Sequence, residues 1–349
     1  MAWTKVMPAN PVVAVCGATG AVGNEFLNVL HDLDFPASKV IALASARSAG
    51  KKLPFKGCGQ VPAGELTVQE MTPESFEGVD IALFSAGGSV SKAMREAVVS
   101  HGAIMIDNSS AFRMDEDVPL VVPEVNPGDV SWHNGVIANP NCSTIQMVVA
   151  LKPLYDLARI TRVVVSTYQA ASGAGAPAMA ELYDQTREFL DGKPEDELTI
   201  KAFKHRIAFN TIPHIDVFLD DDSTKEEWKM VAETKKIMGD EGVQVAATCV
   251  RVPVLRCHGE SINVEFVGDV PAAREALAAA PGVTVMDDPA NDVYPMPGLL
   301  AGTNDTYVGR IRRDPTVKHG LAMWVVADQI RKGAALNAVQ IAQLLLPQE

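Results

Sequence analysis

The sequence predicts an α/β protein of two domains, a doubly wound parallel sheet followed by a mixed α+β domain. Three observations carry this. From Pro11 to Asp107 apolar strands alternate with amphipathic helices (PVVAVC, FLNVLHDL, VIALAS, VDIALFS, KAMREAVVS, AIMID), the rhythm of a parallel sheet with helical crossovers. A glycine-rich turn sits directly between the first strand and the first helix. From about Thr161 the strands lengthen and become β-branched (TRVVVSTY, VQVAATCVRVPVL, ESINVEFVG), with helices such as KEEWKMVAETKKIM between them. The 349 residues fit two domains at roughly 150 each. The closing MWVVADQIRKGAALNAVQIAQLLL reads as one long helix that packs back on the first domain. The expected division is therefore 1–140 with 329–349, and 141–328, with no internal repeat.

Composition narrows the function classes. Hydrophobic residues make up 47% and charged residues 21%, ordinary globular usage. Thirty Lys and Arg against 43 Asp and Glu leave a net charge of -13, which opposes nucleic-acid binding. The five cysteines, at 16, 58, 142, 249 and 257, are odd in number, scattered and without a Cys-x-x-Cys, so neither a disulfide framework nor a metal site is expected. No signal peptide and no run of 18 apolar residues occurs, which reads as a cytoplasmic protein with no membrane partner. The sequons at Asn108, Asn141 and Asn304 are then chance matches.

Gly17-Ala-Thr-Gly20-Ala-Val-Gly23 leaves a β-branched strand and opens a helix, so its backbone N–H groups point where a pyrophosphate sits in a Rossmann-type domain. Its spacing is G-x-x-G-x-x-G, and a tight strand-to-helix turn needs glycine for steric reasons alone; the strand–helix–strand context is what favours a cofactor. At the end of the second strand an NAD enzyme places an acid for the ribose hydroxyls. Here the chain reads Ala44-Ser45-Ala46-Arg47-Ser48, a cation and two hydroxyls that suit a 2'-phosphate and favour NADP over NAD; the bland alternative is a solvated loop Arg. Ser85-Ala86-Gly87-Gly88 after VDIALF is a second small-residue turn that admits a cofactor to the backbone.

Cys142 lies in Asn139-Pro-Asn-Cys142-Ser-Thr-Ile-Gln, a loop that runs into the helical pattern STIQMVVALKPLYDL. At a helix N-terminus unpaired N–H groups and the dipole stabilise a thiolate, which makes Cys142 the candidate nucleophile. The other four cysteines read as small core or loop residues. Seven histidines compete as its proton-transfer partner. His258 stands out because it ends the strand pattern beginning at Val250, at a glycine, though position alone does not single it out.

GATGAVG at 17–23, SARSAGK at 45–51, DNSSAFRM at 107–114, NPNCST at 139–144, YQAASGAG at 168–175, IPHIDVF at 212–218, KEEWKM at 225–230 and RVPVLRCH at 251–258 together resemble the aspartate-β-semialdehyde dehydrogenase family, nearly end to end. The resemblance implies an N-terminal Rossmann-type NADP-binding domain and an α+β catalytic and dimerisation domain. It implies an NADP-dependent, phosphorylating aldehyde dehydrogenase that reduces L-aspartyl-4-phosphate to aspartate semialdehyde and phosphate through a cysteine thioester, in lysine, threonine, methionine and diaminopimelate biosynthesis. By the resemblance Cys142 is the nucleophile, His258 the acid/base and Gln169 positions the acyl group. Arg251 matches the carboxylate clamp, Glu226 the position that meets the substrate amine, and Lys229 and Arg113 the positions that hold phosphate, with Asn141 adding a donor. Without the resemblance, Glu226 and Lys229 at i and i+3 of a helix would be read as a surface ion pair. The family's NADP(H) contacts fall on Thr19, Gly20, Ala21, Val22, Arg47, Ser48, Ser172, Gly173 and Gln329, beside Gly17, Ser45, Ser85 and Gly87 of the turns read above, and the family forms homodimers or homotetramers. Two departures stand out: Gly259 follows the catalytic His where Ser is more usual, and Asp220-Asp-Asp-Ser lies near the phosphate-binding Lys, where it is expected to face solvent.

Two rivals share the plan. N-acetyl-γ-glutamyl-phosphate reductase acts on a substrate one methylene longer with its amine acetylated, and an acid at 226 suits a free ammonium better than a neutral acetamide. A malonyl-CoA reductase on the same fold is more distant. A catalytically silent NADP-binding homologue would be expected to lose Cys142 or His258, and both are present.

Overall fold

The computed structural model describes residues 6–347. It divides into two compact units, one formed by residues up to Asn141 together with those from Ala334 onward, the other by Cys142–Gly333.

In the first unit β1 (Val12–Cys16), β2 (Lys39–Ala44), β5 (Gln69–Glu70), β6 (Ile81–Phe84), β7 (Ile104–Asp107) and β8 (Val136–Ala138) form one parallel sheet in the order β5-β2-β1-β6-β7-β8. A small hairpin of β3 (Lys52–Phe55) and β4 (Gly64–Thr67) stands apart from it. The crossovers include α1 (Ala21–Asp32) and α2 (Gly88–Ser100). The order reverses at β1, and that switch point is where open α/β sheets bind ligands. Apart from the exposed edge strand β5, the strands are largely buried (β6 and β7 entirely), which is why they read as continuous apolar runs rather than alternations. The core is closed by α7 (Leu336–Leu344), whose Leu336, Val339 and Ile341 pack with Phe26, Leu30 and Ile81.

The second unit is built on a mixed six-stranded sheet, β10-β9-β11-β14-β13-β12. Its elements are α3 (Cys142–Leu157), β9 (Ile160–Gln169), α4 (Ala176–Leu190), α5 (Lys225–Met238), β10 (Gln244–Arg251), β11 (His258–Phe266), α6 (Ala273–Ala279), β12 (Val283–Val285), β13 (Thr306–Arg313) and β14 (Gly320–Ala327). Along β9 the period of two is clean: Val163, Val165, Thr167 and Gln169 face inward, while Arg162, Val164, Ser166 and Tyr168 face out. On β11 His258, Glu260, Ile262 and Val264 are the inward residues, in register with β9 through Glu260 opposite Thr167 and Ile262 opposite Val165.

Two expectations are corrected. The C-terminal segment is not one helix: GLAMWVVA is strand β14, a π-turn spans Arg331–Ala335, and only α7 is a regular helix. Its alanines and leucines have the helical period, but Trp-Val-Val is β-branched and aromatic, and the pairing of β14 with β11 and β13 overrides the pattern. The chain therefore returns to the first unit at Ala334 rather than at 329. His258 also opens a strand instead of ending one, because β10 stops at Arg251 before Pro253 and the chain turns irregularly up to Cys257. Among the described residues, all five cysteines are free and no helix is long and apolar enough to cross a membrane.

Gly23 shows how tightly the turn into α1 is wound: a Cβ there would lie 2.1 Å from the carbonyl oxygen of Gly17. Gly23→Ala is expected to lower unfolding stability by about 1–3 kcal/mol in urea titrations, since the obstacle is backbone rather than a side chain that can swing aside.

Candidate active site

Cys142 is the first residue of α3, with Ser143, Thr144 and Gln146 buried behind it. The dipole of that helix end favours a thiolate over a thiol. Space beside it is reserved by Gly333 in the π-turn, where a Cβ would lie 2.8 Å from the Cys142 Cβ.

The end of β9 gathers the remaining groups. Gln169 Nε2 donates to Glu226 Oε1 at 3.1 Å, and Gln169 Oε1 accepts from Thr167 Oγ1 at 2.9 Å. The next residue, Ala170, uses both of its backbone polar groups: its N–H donates to His258 Nδ1 at 3.0 Å and its carbonyl accepts from Arg251 Nη1 at 2.7 Å. Arg251 is also stacked over Phe203, with Cζ 6.0 Å from the ring centroid. Glu226 and Lys229 are presented by α5, which begins in a capping box between Thr224 and Glu227. The Glu227 carboxylate further accepts from the Cys249 N–H on β10, docking the helix so that Glu226 faces inward. The ion pair at i and i+3 is thus a buried site element and not a surface feature: Lys229 Nζ donates to Glu226 Oε2 at 3.0 Å and to Asp216 Oδ2 at 2.7 Å. The Asp220–Asp222 run points to solvent, and the acid that meets Lys229 is Asp216 instead.

These contacts set the charges. Burial, reinforced by Arg251 and only partly opposed by Glu226, pushes the His258 imidazole down to about 3. The backbone N–H of Ala170 can only donate, so Nδ1 is the acceptor and the ring proton sits on Nε2. That Nε2 is buried without a hydrogen-bond partner, a donor available to whatever enters the site. Burial lowers Arg251 somewhat, offset by the charges of Glu226 and Cys142, so the guanidinium stays cationic. For Lys229 burial pulls down, but Glu226 and Asp216 outweigh it and its pKa is raised. Beside Arg251 a cavity of about 160 Å³, lined also by Phe203, His214 and Asp216, has the volume for a small polar metabolite. A larger hollow of about 400 Å³ lies on the outer face of the sheet at Tyr168 and Trp324, away from this chemistry.

Ser172 and Gln329 belong to the same unit and touch: Gln329 Nε2 donates to Ser172 Oγ, and Gln329 Oε1 accepts from the Cys257 N–H at 2.8 Å. Gly173 packs against the pair of catalytic candidates, since a Cβ there would lie 2.7 Å from Arg251 Nη1 and 3.2 Å from His258 Nε2. The departure at Gly259 has a steric reason: a Cβ would meet the Trp324 ring at 2.5 Å.

The other expected residues are in the first unit. Gly17 lies where a Cβ would fall 2.3 Å from Ser85 O, so strand-end backbones approach as a dinucleotide cradle requires. Gly20 precedes α1 with no side-chain cap, leaving the N–H groups of Ala21 and Val22 to an outside acceptor. Thr19 and Ser48 bring their hydroxyls together at 3.5 Å, Ser45 and Arg47 are exposed beside them, and Gly87 leads into α2 with φ 91°. These groups fit a dinucleotide carrying a 2'-phosphate. Arg113 is buried and held by two carbonyls, from Nε to Asn139 O at 3.0 Å and from Nη2 to Asn108 O at 2.9 Å; Asn141 is buried as well. Among the described residues no cluster that could hold a metal ion occurs.

A glycine-rich dinucleotide unit joined to a unit that sets a half-buried thiol at the start of a helix and gathers His, Arg and Glu at a strand end defines a thiol-dependent dehydrogenase of aldehydes. The semialdehyde dehydrogenase NAD-binding domain matches residues 12–133, and the semialdehyde dehydrogenase dimerisation domain matches residues 151–332. Similar proteins are the aspartate-semialdehyde dehydrogenase of Aquifex aeolicus, 57% identical over 96% of this chain and 97% of its own, and a Vibrio cholerae aspartate semialdehyde dehydrogenase II solved in complex with ASA, 44% identical with TM-score 0.91 over 96% and 98%. The Candida albicans enzyme solved with NADP is 26% identical with TM-score 0.71, covering 96% and 98%. The chain belongs to the aspartate-semialdehyde dehydrogenase family.

Sequence reasoning passed over Thr167, Asp216, Gly333, Gln146 and Glu260. The signal for Glu260 was legible, an acid at an inward strand position two residues after His258; Asp216 and Gly333 meet their partners only through the fold.

A neutral Nε2–H ring is the testable outcome of this geometry. Folded His258 resists protonation down to about 3, whereas the unfolded ring ionises at its ordinary value of 6.5. Its depressed pKa therefore contributes stability that is present above 6.5 and is lost as pH falls toward 3. Nitrogen NMR of the folded protein is expected to show one neutral Nε2–H tautomer at pH 6, and an imidazolium there would contradict the Ala170 contact.

Proposed function

We propose that this chain catalyses the NADPH-dependent reductive dephosphorylation of L-aspartyl 4-phosphate to L-aspartate 4-semialdehyde and phosphate, by way of a thioester on Cys142. The observation that carries the reading is the convergence at one strand end of a carboxylate clamp, an amine-meeting acid and a proton-bearing imidazole beside the N-terminus that holds the thiol.

Each residue has a physical task. The Cys142 thiolate adds to the acyl carbon, the C–O bond to phosphate breaks, and the thioester remains. His258 offers its Nε2–H to the acyl oxygen as charge develops there, a donor that needs no reorganisation at the moment of reaction. With Nδ1 engaged by Ala170, the ring has no lone pair free to deprotonate the thiol, so the thiolate depends on α3 and on the Arg251 charge. Gln169, fixed between Thr167 and Glu226, positions the acyl group. Arg251 takes the α-carboxylate in a bidentate fork, Glu226 meets the α-ammonium, and Lys229 with Arg113 and Asn141 holds phosphate. NADPH supplies the hydride when bound, by the cradle Gly17, Thr19–Val22, Ser85 and Gly87, with Ser45, Arg47 and Ser48 toward the 2'-phosphate and Ser172, Gly173 and Gln329 in the second unit.

Glu226 disfavours the acetylated rival, since a buried carboxylate against a neutral acetamide leaves a charge poorly matched. The dimer expected of this family would use the outer face of the second sheet, where Val164, Ser166 and Tyr168 stand beside Ala246 and Thr248. A chain of this kind works in the cytoplasm, and assembly beyond a dimer to a tetramer is decided by other surfaces.

Purified protein is expected to form NADPH from aspartate semialdehyde and NADP only with phosphate present, and to leave N-acetylglutamate semialdehyde unreacted; the reverse preference would move the chain to the acetylated substrate. Cys142→Ala should lose roughly 10³-fold or more in kcat. Val164→Asp is expected to shift the protein to monomer in sedimentation velocity, and an unchanged dimer would place the interface elsewhere.

A further inference from the structure

Among the buried residues of α7, Leu336, Ala338, Val339, Ile341 and Ala342 are apolar and Asn337 alone is polar. A side-chain amide is unfavourable in such a place unless its groups are bonded. Asn337 Nδ2 donates to the main-chain oxygen of Val121 at 3.0 Å and to Asn139 Oδ1 at 2.7 Å. Asn139, fully buried just after β8, passes the link on: its Nδ2 donates to Asn108 Oδ1 at 2.8 Å and to the main-chain oxygen of Ala334 at 3.3 Å. Main-chain oxygens only accept, so Val121 fixes the orientation of the first amide and Ala334 that of the second. Turning either amide over would set oxygen against oxygen.

The relay ends on the two residues that hold a cation. Arg113 Nε donates to the main-chain oxygen of Asn139 at 3.0 Å, and Nη2 to that of Asn108 at 2.9 Å. A guanidinium is a rigid planar fork, so the places of those two oxygens set the direction of its plane. The main chain of Asn139 is also pinned to β7, its N–H donating to Asp107 O at 2.8 Å, and every polar group of that residue is thereby bonded. We infer that Asn337 is a positioning residue for Arg113, acting through the amide relay Asn337–Asn139–Asn108 that holds in place the two carbonyls on which the guanidinium rests. The returning C-terminal helix then does more than close the core: it aims a cation that lies far back in the chain. The inference rests on the assignment of phosphate to Arg113 in the proposed function and adds what aims that side chain.

Steady-state kinetics with aspartate semialdehyde, NADP and phosphate separate this role from packing. Asn337→Ala removes the donor to Asn139 and is expected to raise KM for phosphate roughly fivefold, with KM for aspartate semialdehyde within about twofold of wild type. An amide that served the core alone would lower unfolding stability and leave KM for phosphate where it was. Asn108→Ala cuts the other end of the relay at a half-buried position and should raise KM for phosphate roughly threefold, which decides the matter where Asn337→Ala does not fold. Arg113→Lys keeps the charge without the fork and should raise KM for phosphate roughly tenfold. Adding Asn337→Ala to it should change that value by less than about twofold, because the relay has no guanidinium left to aim. An unchanged KM for phosphate in Asn108→Ala, or in a folded Asn337→Ala, would overturn the inference, as would an undiminished effect of Asn337→Ala on top of Arg113→Lys. A wild-type KM for phosphate in Arg113→Ala would instead overturn the assignment of phosphate to Arg113, and the positioning role with it.

Discussion

The site of the second unit depends on one backbone residue, Ala170, which follows the end of β9. Its N–H reaches His258 Nδ1 and its carbonyl reaches Arg251 Nη1, so the two rigid peptide planes that meet at its Cα fix an imidazole tautomer and a guanidinium. A side chain in that role would have rotamers to lose; backbone held between the last strand bond of Gln169 and the turn closed by Gly173 N–H on Ala170 O has none, and the positions it sets carry little entropic cost. Gln169, one residue earlier, extends the same order through Glu226 to Lys229 and Asp216. The charged groups are thus arranged by a continuous ladder that starts in the backbone.

The thiol is placed by a different device. Cys142 begins a helix whose first turns are buried, and the close approach of Gly333 leaves no room for a side chain on that flank. Helix end and π-turn define the nucleophile's surroundings by exclusion, whereas strand end and α5 define the partners by hydrogen bonds. Coupling between the two devices runs through Gln146, which belongs to α3 and bonds to β11. A site assembled from two elements needs such a link, because displacements of an ångström between nucleophile and donor cost orders of magnitude in rate.

Much of this was legible in the sequence, for identifiable reasons. The parallel sheet was readable because its strands are buried on both faces and stay apolar, and Cys142 because a helix start after Asn-Pro-Asn has a local signature. The strand β14 was misread as helix since Trp-Val-Val sits in a run whose alanines and leucines carry the helical period, and only pairing with β11 and β13 decides. His258 was located but its element inverted, because the break at Val252–Cys257 lies inside a run that looks continuous by composition. Lys229 and Glu226 looked like a surface pair, and burial by tertiary packing has no trace in their spacing. Asp216 lies 13 residues from Lys229 in the chain, and its positive φ of 72° is equally invisible to pattern.

The charge economy of the site follows from these placements. The chain carries a net charge of -13, yet the substrate read for it is an anion, so its cations must be held where the overall field cannot dominate. Lys229 meets this by standing between two carboxylates, which keep it protonated despite burial. On the proposed reading, anion binding is an exchange: phosphate at Lys229 takes the place of Asp216, on an exposed loop, while Glu226 stays tied to Gln169. Arg251 needs no such partner, since a guanidinium remains cationic when buried and its fork is shared between a carbonyl and an incoming carboxylate. On the proposed reading, a lysine with a displaceable acid suits phosphate, which is expelled first, and an arginine fixed by backbone suits the α-carboxylate, which is held while the acyl group is on the thiol.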